Sequence, residues 1–296
     1  MTMTKTYDRL PRQGVLMLIA LAFFWGNNWP IMKIVLREVP PLYFRALCLL
    51  PGGLGMLALA RLNGLSIAVP REQWSRVLWL AVFNIIGWNV LIGYGLSLLP
   101  AGRAALLGYT MPLWSMVLSV LVLGERVTLH RVVGLLLGLS GIVALMGGRL
   151  TGLLEAPVGV VCMVVAAWSW AIGIVLLKRL PVTVSTVALT GWMMLAGGVP
   201  ILIAAIPLET ARLTIPSTLA MGGLAYNVFI AFMFCYWAWN RIVLMVPVAV
   251  SSLSALVTPL IGVLGGVIFL GEPLGWHEIV AALLILSAVG TVSLRR

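Results

Sequence analysis

PLWSMVLSVLVLGERVTLH, residues 112–130, and PLIGVLGGVIFLGEPLGWH, residues 259–277, are one pattern written twice. A shift of 147 positions lays Pro100–Met146 over Pro247–Ser293 without a gap, and 14 of those 47 positions are identical. Apolar helices coincide by chance more readily than soluble ones. Pro100 with Pro247, Pro112 with Pro259, Gly124-Glu125 with Gly271-Glu272, His130 with His277 and Ser140 with Ser287 are not explained by apolarity. A second echo lies upstream: WGNNWPIMK at 25–33 returns as WAIGIVLLK at 170–178, with Trp and Lys eight apart in both and an offset of 145. A fixed offset over such lengths is the mark of a duplication.

The doubled unit is membranous. Of 296 residues 62% are hydrophobic and 9% charged, whereas a soluble domain carries about a quarter charged residues. A hydrocarbon core about 30 Å thick needs roughly 20 apolar helical residues. Ten such runs are present, at 13–32, 40–60, 76–98, 102–123, 129–147, 157–177, 186–206, 217–240, 247–270 and 276–293. The run at 186–206 is the weakest of them. Stretches such as VGLLLGLSGIVALM do not alternate in polarity, which excludes the strands of a β-barrel.

The net charge of +11 is mostly topology. With the N-terminus in the cytoplasm, thirteen Lys and Arg fall in inside segments and five in outside loops, with Arg45 inside the second span. That bias predicts two cytoplasmic termini. No basic stripe with interleaved aromatics remains to suggest nucleic acid. The first apolar run is too long for a cleavable signal and lacks a small-residue cleavage site, so it is expected to stay. Cys48, Cys162 and Cys235 lie in spans, without metal-type spacing, and read as buried thiols.

Five spans per unit is an odd number, so the second unit enters the membrane from the opposite side. The expected fold is an all-α integral membrane protein of ten transmembrane helices, with a first five-helix repeat at 13–147 and an inverted second at 157–293. Inverted repeats place a substrate site near the midplane between the halves, and rocking of one half against the other gives alternating access.

Ten spans in two fives, Trp-Gly or Trp-Ala followed by Lys in spans one and six, Pro-Ala or Pro-Val opening spans four and nine, and Leu-Gly-Glu closing them resemble the drug/metabolite transporter superfamily of EamA type. The resemblance covers about residues 13–293. Within it the chain resembles the YddG-type bacterial exporters of aromatic amino acids. That resemblance implies an inner-membrane carrier exporting aromatic amino acids and related neutral or zwitterionic metabolites, without a cofactor. Export of other metabolites or drugs is the rival within transport. A membrane enzyme would show clustered Asp, Glu, His or Lys, and a scaffold would show long loops or a soluble domain.

Candidate site residues follow from helical stripes at 100° per residue. In the first span Leu21, Trp25, Asn28, Trp29 and Met32 share a face, and Pro30 strips the Gly26 carbonyl of its partner. Either Trp25, Asn28 and Trp29 line a cavity, echoed by Trp170, or the rings pack and the asparagines bond neighbouring helices. In the third span Asn84, Gly87, Trp88, Leu91, Tyr94 and Gly95 share a face. In the eighth, Tyr226, Phe229, Ile230, Met233, Trp237 and Asn240 do. Such stripes suit either packing or a pocket for a flat amphipathic solute, and the pocket reading takes Asn84, Trp88, Tyr94, Tyr226, Phe229 and Trp237, with Tyr109 joining from the fourth span.

Pro112 and Pro259 should bend their helices, either as paired hinges, with Pro30 as a third, or as static kinks. Glu125 and Glu272 read as helix-end caps, as do His130 and His277 at the interfaces, and two isolated His hold no metal. All eight acidic residues lie near span ends, so coupling through a buried carboxylate is not expected. Arg45 is expected to snorkel or meet a helix C-terminus, or else to hold a substrate carboxylate, and Arg103 is similarly open. Gly134, Gly138 and Gly141 predict close packing of the fifth span on the tenth, in a monomer. The expected partners are a small-molecule substrate and the bilayer.

Overall fold

A computed structural model describes residues 11–99, 104, 107–126, 128–145, 156–261 and 275–293. All regular structure among them is helical. We number the helices α1 (Arg12–Val35), α2 (Pro41–Leu62), α3 (Arg71–Leu98), α4 (Met111–Leu123), α5 (Leu129–Leu145), α6 (Pro157–Arg179), α7 (Thr186–Glu209), α8 (Thr218–Met245), α9 (Val248–Ile261) and α10 (Trp276–Ser293). Six of these, α1–α3 and α6–α8, are long and apolar enough to cross a bilayer. The other four are shorter apolar helices where the sequence leads one to expect spans four, five, nine and ten. The weakest sequence candidate, 186–206, is a long helix opened by Ser185, whose hydroxyl accepts the Ala188 amide at 3.2 Å.

Large apolar side chains such as Leu16, Leu54, Ile203 and Leu219 stand fully outward. In water they would be an aggregation surface; in hydrocarbon they cost nothing. Association between helices must then come from close contact rather than from expelling water. Two of the most extensive interfaces, α2 on α7 and α5 on α10, show how. A β-carbon on Gly53 would stand 3.0 Å from the Gly191 carbonyl, and one on Gly191 3.0 Å from that of Gly53, so only glycine at both positions lets these backbones meet. On α5, Gly141 lies close against Ile285 and the Ala281 carbonyl of α10, and Gly138 lies tightest against Leu256 of α9 with Ala288 of α10 in ordinary contact.

Two features were not anticipated. Both α3 and α8 contain a stretch of π-helix, Ala81–Gly87 and Asn227–Tyr236, and the 147-residue offset lays one over the other. A π turn is wider than 3.6 residues and re-registers everything beyond it. The fourth and ninth segments, moreover, are broken rather than bent. The chain turns at 109–110 and at 255–256, and a new helical piece starts just before Pro112 and Pro259. Proline lacks an amide hydrogen and sits comfortably in a first turn, where that donor has no intrahelical partner anyway. The expected bend is therefore a discontinuity. At Pro30, by contrast, α1 runs on.

Candidate functional site

A partly enclosed cavity lies where α1, α2, α3, the α4 break, α6 and α8 converge, and it encloses about 600 Å³ including its mouth. From α1 come Trp25, Asn28, Trp29 and Met32, an unbroken 3.6-residue stripe. From α2 comes Arg45. From α3, beyond its π turn, come Trp88, Asn89 and Ile92; Gly108, Tyr109 and Met111 flank the α4 break. The second half supplies Trp170 from α6 and Ala231, Phe232 and Tyr236 from the π turn of α8.

Rings make the wall. Trp170 is fully buried and touches four others: Trp88 at 4.7 Å between centroids, Tyr236 at 5.6 Å, Trp25 at 5.8 Å and Trp239 at 5.9 Å. The Tyr236 and Trp25 contacts are edge-to-face, the geometry that ring quadrupoles favour. Polar atoms hold the wall in place. The Trp25 indole donates to the Ala231 carbonyl at 3.2 Å, and the Trp29 indole to the Tyr109 hydroxyl at 3.3 Å. The Asn89 amide donates both to the Ile85 carbonyl and to the Tyr236 hydroxyl, each at 2.9 Å.

The π turns help to build this arrangement. Ser169 on α6 donates to the Phe83 carbonyl in the π turn of α3, at 2.8 Å. A β-carbon on Gly87 would lie 2.0 Å from the Ser169 hydroxyl, so glycine permits the approach that makes this bond. Widened turns thus present carbonyls to side chains of neighbouring helices, which regular α-helix would keep for itself.

The structure brings Trp25, Asn28, Trp29, Trp88, Tyr109 and Trp170 together around the cavity and leaves five other candidates outside it. Phe229 is 62% exposed and faces outward. Tyr94 donates to Glu209 at 3.0 Å near the far end of α3, and Tyr226 donates to the Phe24 carbonyl at 2.7 Å. Trp237 stacks at a tilt on Phe234, and Asn84 is wedged against Gly173. Their stripes assumed a constant 100° per residue, which the π turns break. Asn89, Phe232 and Tyr236 take the inward places instead. One signal for two of them was available, since Asn89 and Tyr236 are 147 apart and so equivalent in the duplication.

Arg45 does not snorkel; it is 2% exposed and lines the cavity. Nor does the buried Glu209 face inward, because its carboxylate accepts the Leu42 amide at 2.8 Å and the Tyr43 amide at 3.2 Å, capping the first turn of α2. Glu125 caps α9 in the same manner, accepting the Val248 amide at 2.9 Å, with Lys178 and Arg131 each 3.8 Å away. Lys178 also donates to the Val246 carbonyl at the end of α8. Its equivalent, Lys33, donates to the Leu96 and Leu99 carbonyls at the end of α3. One bond is thus made twice, an ammonium satisfying the orphan carbonyls of a helix C-terminus. Arg103 and Glu272 lie outside the described residues.

Known proteins place this architecture. A solved crystal structure superposes with a TM-score of 0.80 over 95% of this chain and 96% of its own, at 22% identity, which speaks for the fold alone. The transporter YvbV of Bacillus subtilis is 30% identical over 294 residues, covering 96% of this chain and 93% of its own. The inner membrane transporter YedA of Escherichia coli is 28% identical over 278 residues, 94% and 89% of the two chains. A probable amino-acid metabolite efflux pump of Salmonella typhimurium is 26% identical over 310 residues, 94% and 93%. The model of the EamA-like transporter family matches twice, at residues 12–147 and 157–294. With both halves of its sequence matched and its helices surrounding one aromatic cavity, this membrane-embedded chain belongs to the EamA-like transporter family.

Proposed function

We propose that the protein is a bacterial inner-membrane carrier that exports aromatic amino acids and related neutral or zwitterionic metabolites by alternating access. The observation that carries this reading is the cavity itself. Faces of tryptophan and tyrosine surround it, three polar side chains project into it, and a broken helix opens onto it. Ring faces stack on a flat solute while a few polar groups orient it. Interrupted helices at matching positions of two repeats are the usual surroundings of a midplane transport site. The Salmonella relative, by its name an amino-acid metabolite efflux pump, supports the same substrate class.

The two halves, 13–147 and 157–293, act as inverted repeats in a monomer with both termini in the cytoplasm. Lys33 ties α1 to the end of α3, and Lys178 ties α6 to the end of α8 and to Glu125, so these are the bonds between helices that a rocking motion strains. Among the described residues no carboxylate lines the cavity, and this favours solutes without net positive charge and movement that needs no buried carboxylate as proton carrier. The closing proline pair, Pro112 and Pro259, together with Pro30, marks where the helices flex.

The test is flux of labelled tryptophan, phenylalanine and alanine into liposomes containing the purified chain, with and without a pH gradient. Selective aromatic flux, indifferent to the gradient and lost in Trp25→Ala and Trp88→Ala, is the expected result. Equal flux of alanine, or dependence on a single glutamate, would sink the reading.

A further inference from the structure

Arg45 is a buried cation for which the described residues provide no anion. Its terminal nitrogen donates to the Met32 sulfur at 3.4 Å, a weak acceptor, and its guanidinium lies 4.7 Å from the centroid of the Phe44 ring. Its Nε has no hydrogen-bond partner. Among the described residues the carboxylate ion pairs belong to Glu125, with Arg131 and Lys178, and none reaches Arg45. A guanidinium in the membrane interior is costly, and where one occurs it faces a partner or a pathway. This one faces the cavity.

Two more groups there are polar and unpaired. The Gly223 carbonyl accepts the Asn227 amide at 2.9 Å, which turns the Asn227 oxygen toward Asn28 to accept its amide at 3.2 Å. That chain leaves the buried Asn28 Oδ1 as an acceptor with no protein donor. The Trp170 indole nitrogen is likewise a donor with no acceptor.

We infer that Arg45 is the carboxylate anchor of this carrier, so that its substrates are monocarboxylates bearing a flat apolar group, with aromatic α-amino acids among them. The fork of Arg45 matches a carboxylate in bidentate fashion, which a lone ammonium could not do. An α-ammonium, when the solute has one, finds the Asn28 oxygen and the ring faces of Trp25 and Trp88. The apolar group stacks within the aromatic wall. This assignment rests on the carrier reading above and narrows it, because an aromatic solute without a carboxylate leaves the guanidinium buried and unpaired.

The experiment compares four probes in liposomes, with binding followed in parallel by tryptophan fluorescence in detergent: phenylalanine, 3-phenylpropionate, phenylalaninol and phenethylamine. The two carboxylates are expected to compete about tenfold better than the two amines without one, the worth of one charge-assisted pair. Arg45→Met should erase that difference, and Arg45→Lys should keep part of it. Should Arg45→Met fail to fold, the wild-type ranking and Arg45→Lys still decide. Four probes bound and moved equally would overturn the anchor and leave the carrier intact. Carboxylate-selective binding without flux would uphold the anchor and overturn the carrier; absence of both, or selectivity unchanged in Arg45→Met, overturns the anchor.

Discussion

The two halves of the sequence line the same cavity with different chemistry. Asn28, Arg45 and Asn89, its amide and guanidinium groups, all come from the first half, whereas the second contributes Trp170, Phe232, Tyr236 and the methyl of Ala231. Equivalent positions make the divergence plain. At the 145 offset Asn28 corresponds to Gly173 and Arg45 to Thr190, which is buried elsewhere and accepts the Asn240 amide at 2.9 Å. At the 147 offset Asn89 corresponds to Tyr236, the residue it bonds. Duplication supplied a related scaffold with rings on both walls, and substitution left amide and guanidinium side chains among the rings of the first half alone. On the carrier reading, a solute held between the two walls has one preferred orientation.

Trp170→Ala should break this contrast most severely. It removes a fully buried ring that touches four others, at a cost of about 3–5 kcal/mol and most of the transport. Its equivalent Trp25 is only half-buried, so Trp25→Ala should lower the thermal midpoint in detergent less while abolishing flux as fully. Equal destabilisation by the two would mean that the aromatic wall is shared evenly between the halves.

The Asn89–Tyr236 bond sharpens the comparison at its centre. Asn89→Leu leaves both the Ile85 carbonyl and the Tyr236 hydroxyl without their donor and should cost about 2–3 kcal/mol. Tyr236→Phe removes only one acceptor, should cost about 1 kcal/mol, and keeps the ring. Unfolding midpoints in the reverse order would place the anchoring group in the second half.

The smallest effect is at the surface, where the first half again supplies the polar group. Glu38 accepts the Ser217 amide at 2.6 Å and its hydroxyl at 2.7 Å, and these bonds hold its carboxyl below the ordinary range. A depressed folded-state pKa means that the contribution is present above the unfolded carboxylate pKa and fades as pH falls through the lower, folded one. Wild-type protein should therefore lose a little stability on acidification that Glu38→Gln does not lose; parallel pH profiles would refute it.

Much of the fold could be read from residues. Hydropathy located the six helices that are long and apolar enough to cross a bilayer, because a bilayer imposes a length that composition alone can meet; shorter apolar helices fall in the other four runs, and the 147-residue echo exposed the doubling. The site was legible where the helix is regular. On α1, 3.6-residue spacing put Trp25, Asn28, Trp29 and Met32 on one face, and the structure has them there. On α8 the same arithmetic failed within the π turn, sending Phe229 outward and hiding Phe232 and Tyr236, and on α3 it missed Asn89 while keeping Trp88. Nothing in local composition announces a π turn; it exists because Ser169 and Trp25, far along the chain, take up its carbonyls. Arg45 was misplaced for a related reason, since a charge near a span end ordinarily reaches water, and only the packed helices show that it cannot.

The paired π turns also record history. A widened turn amounts to one residue inserted into a helix, and here it occupies matching register in both halves while the polar lining beside it has diverged. Matching register is what two copies inherit from one unit that already carried the wide turn, while the lining beside it differs between the copies. A single unit with that turn has the backbone around which a cavity can form, and a second copy leaves each side of the cavity free to change without the other.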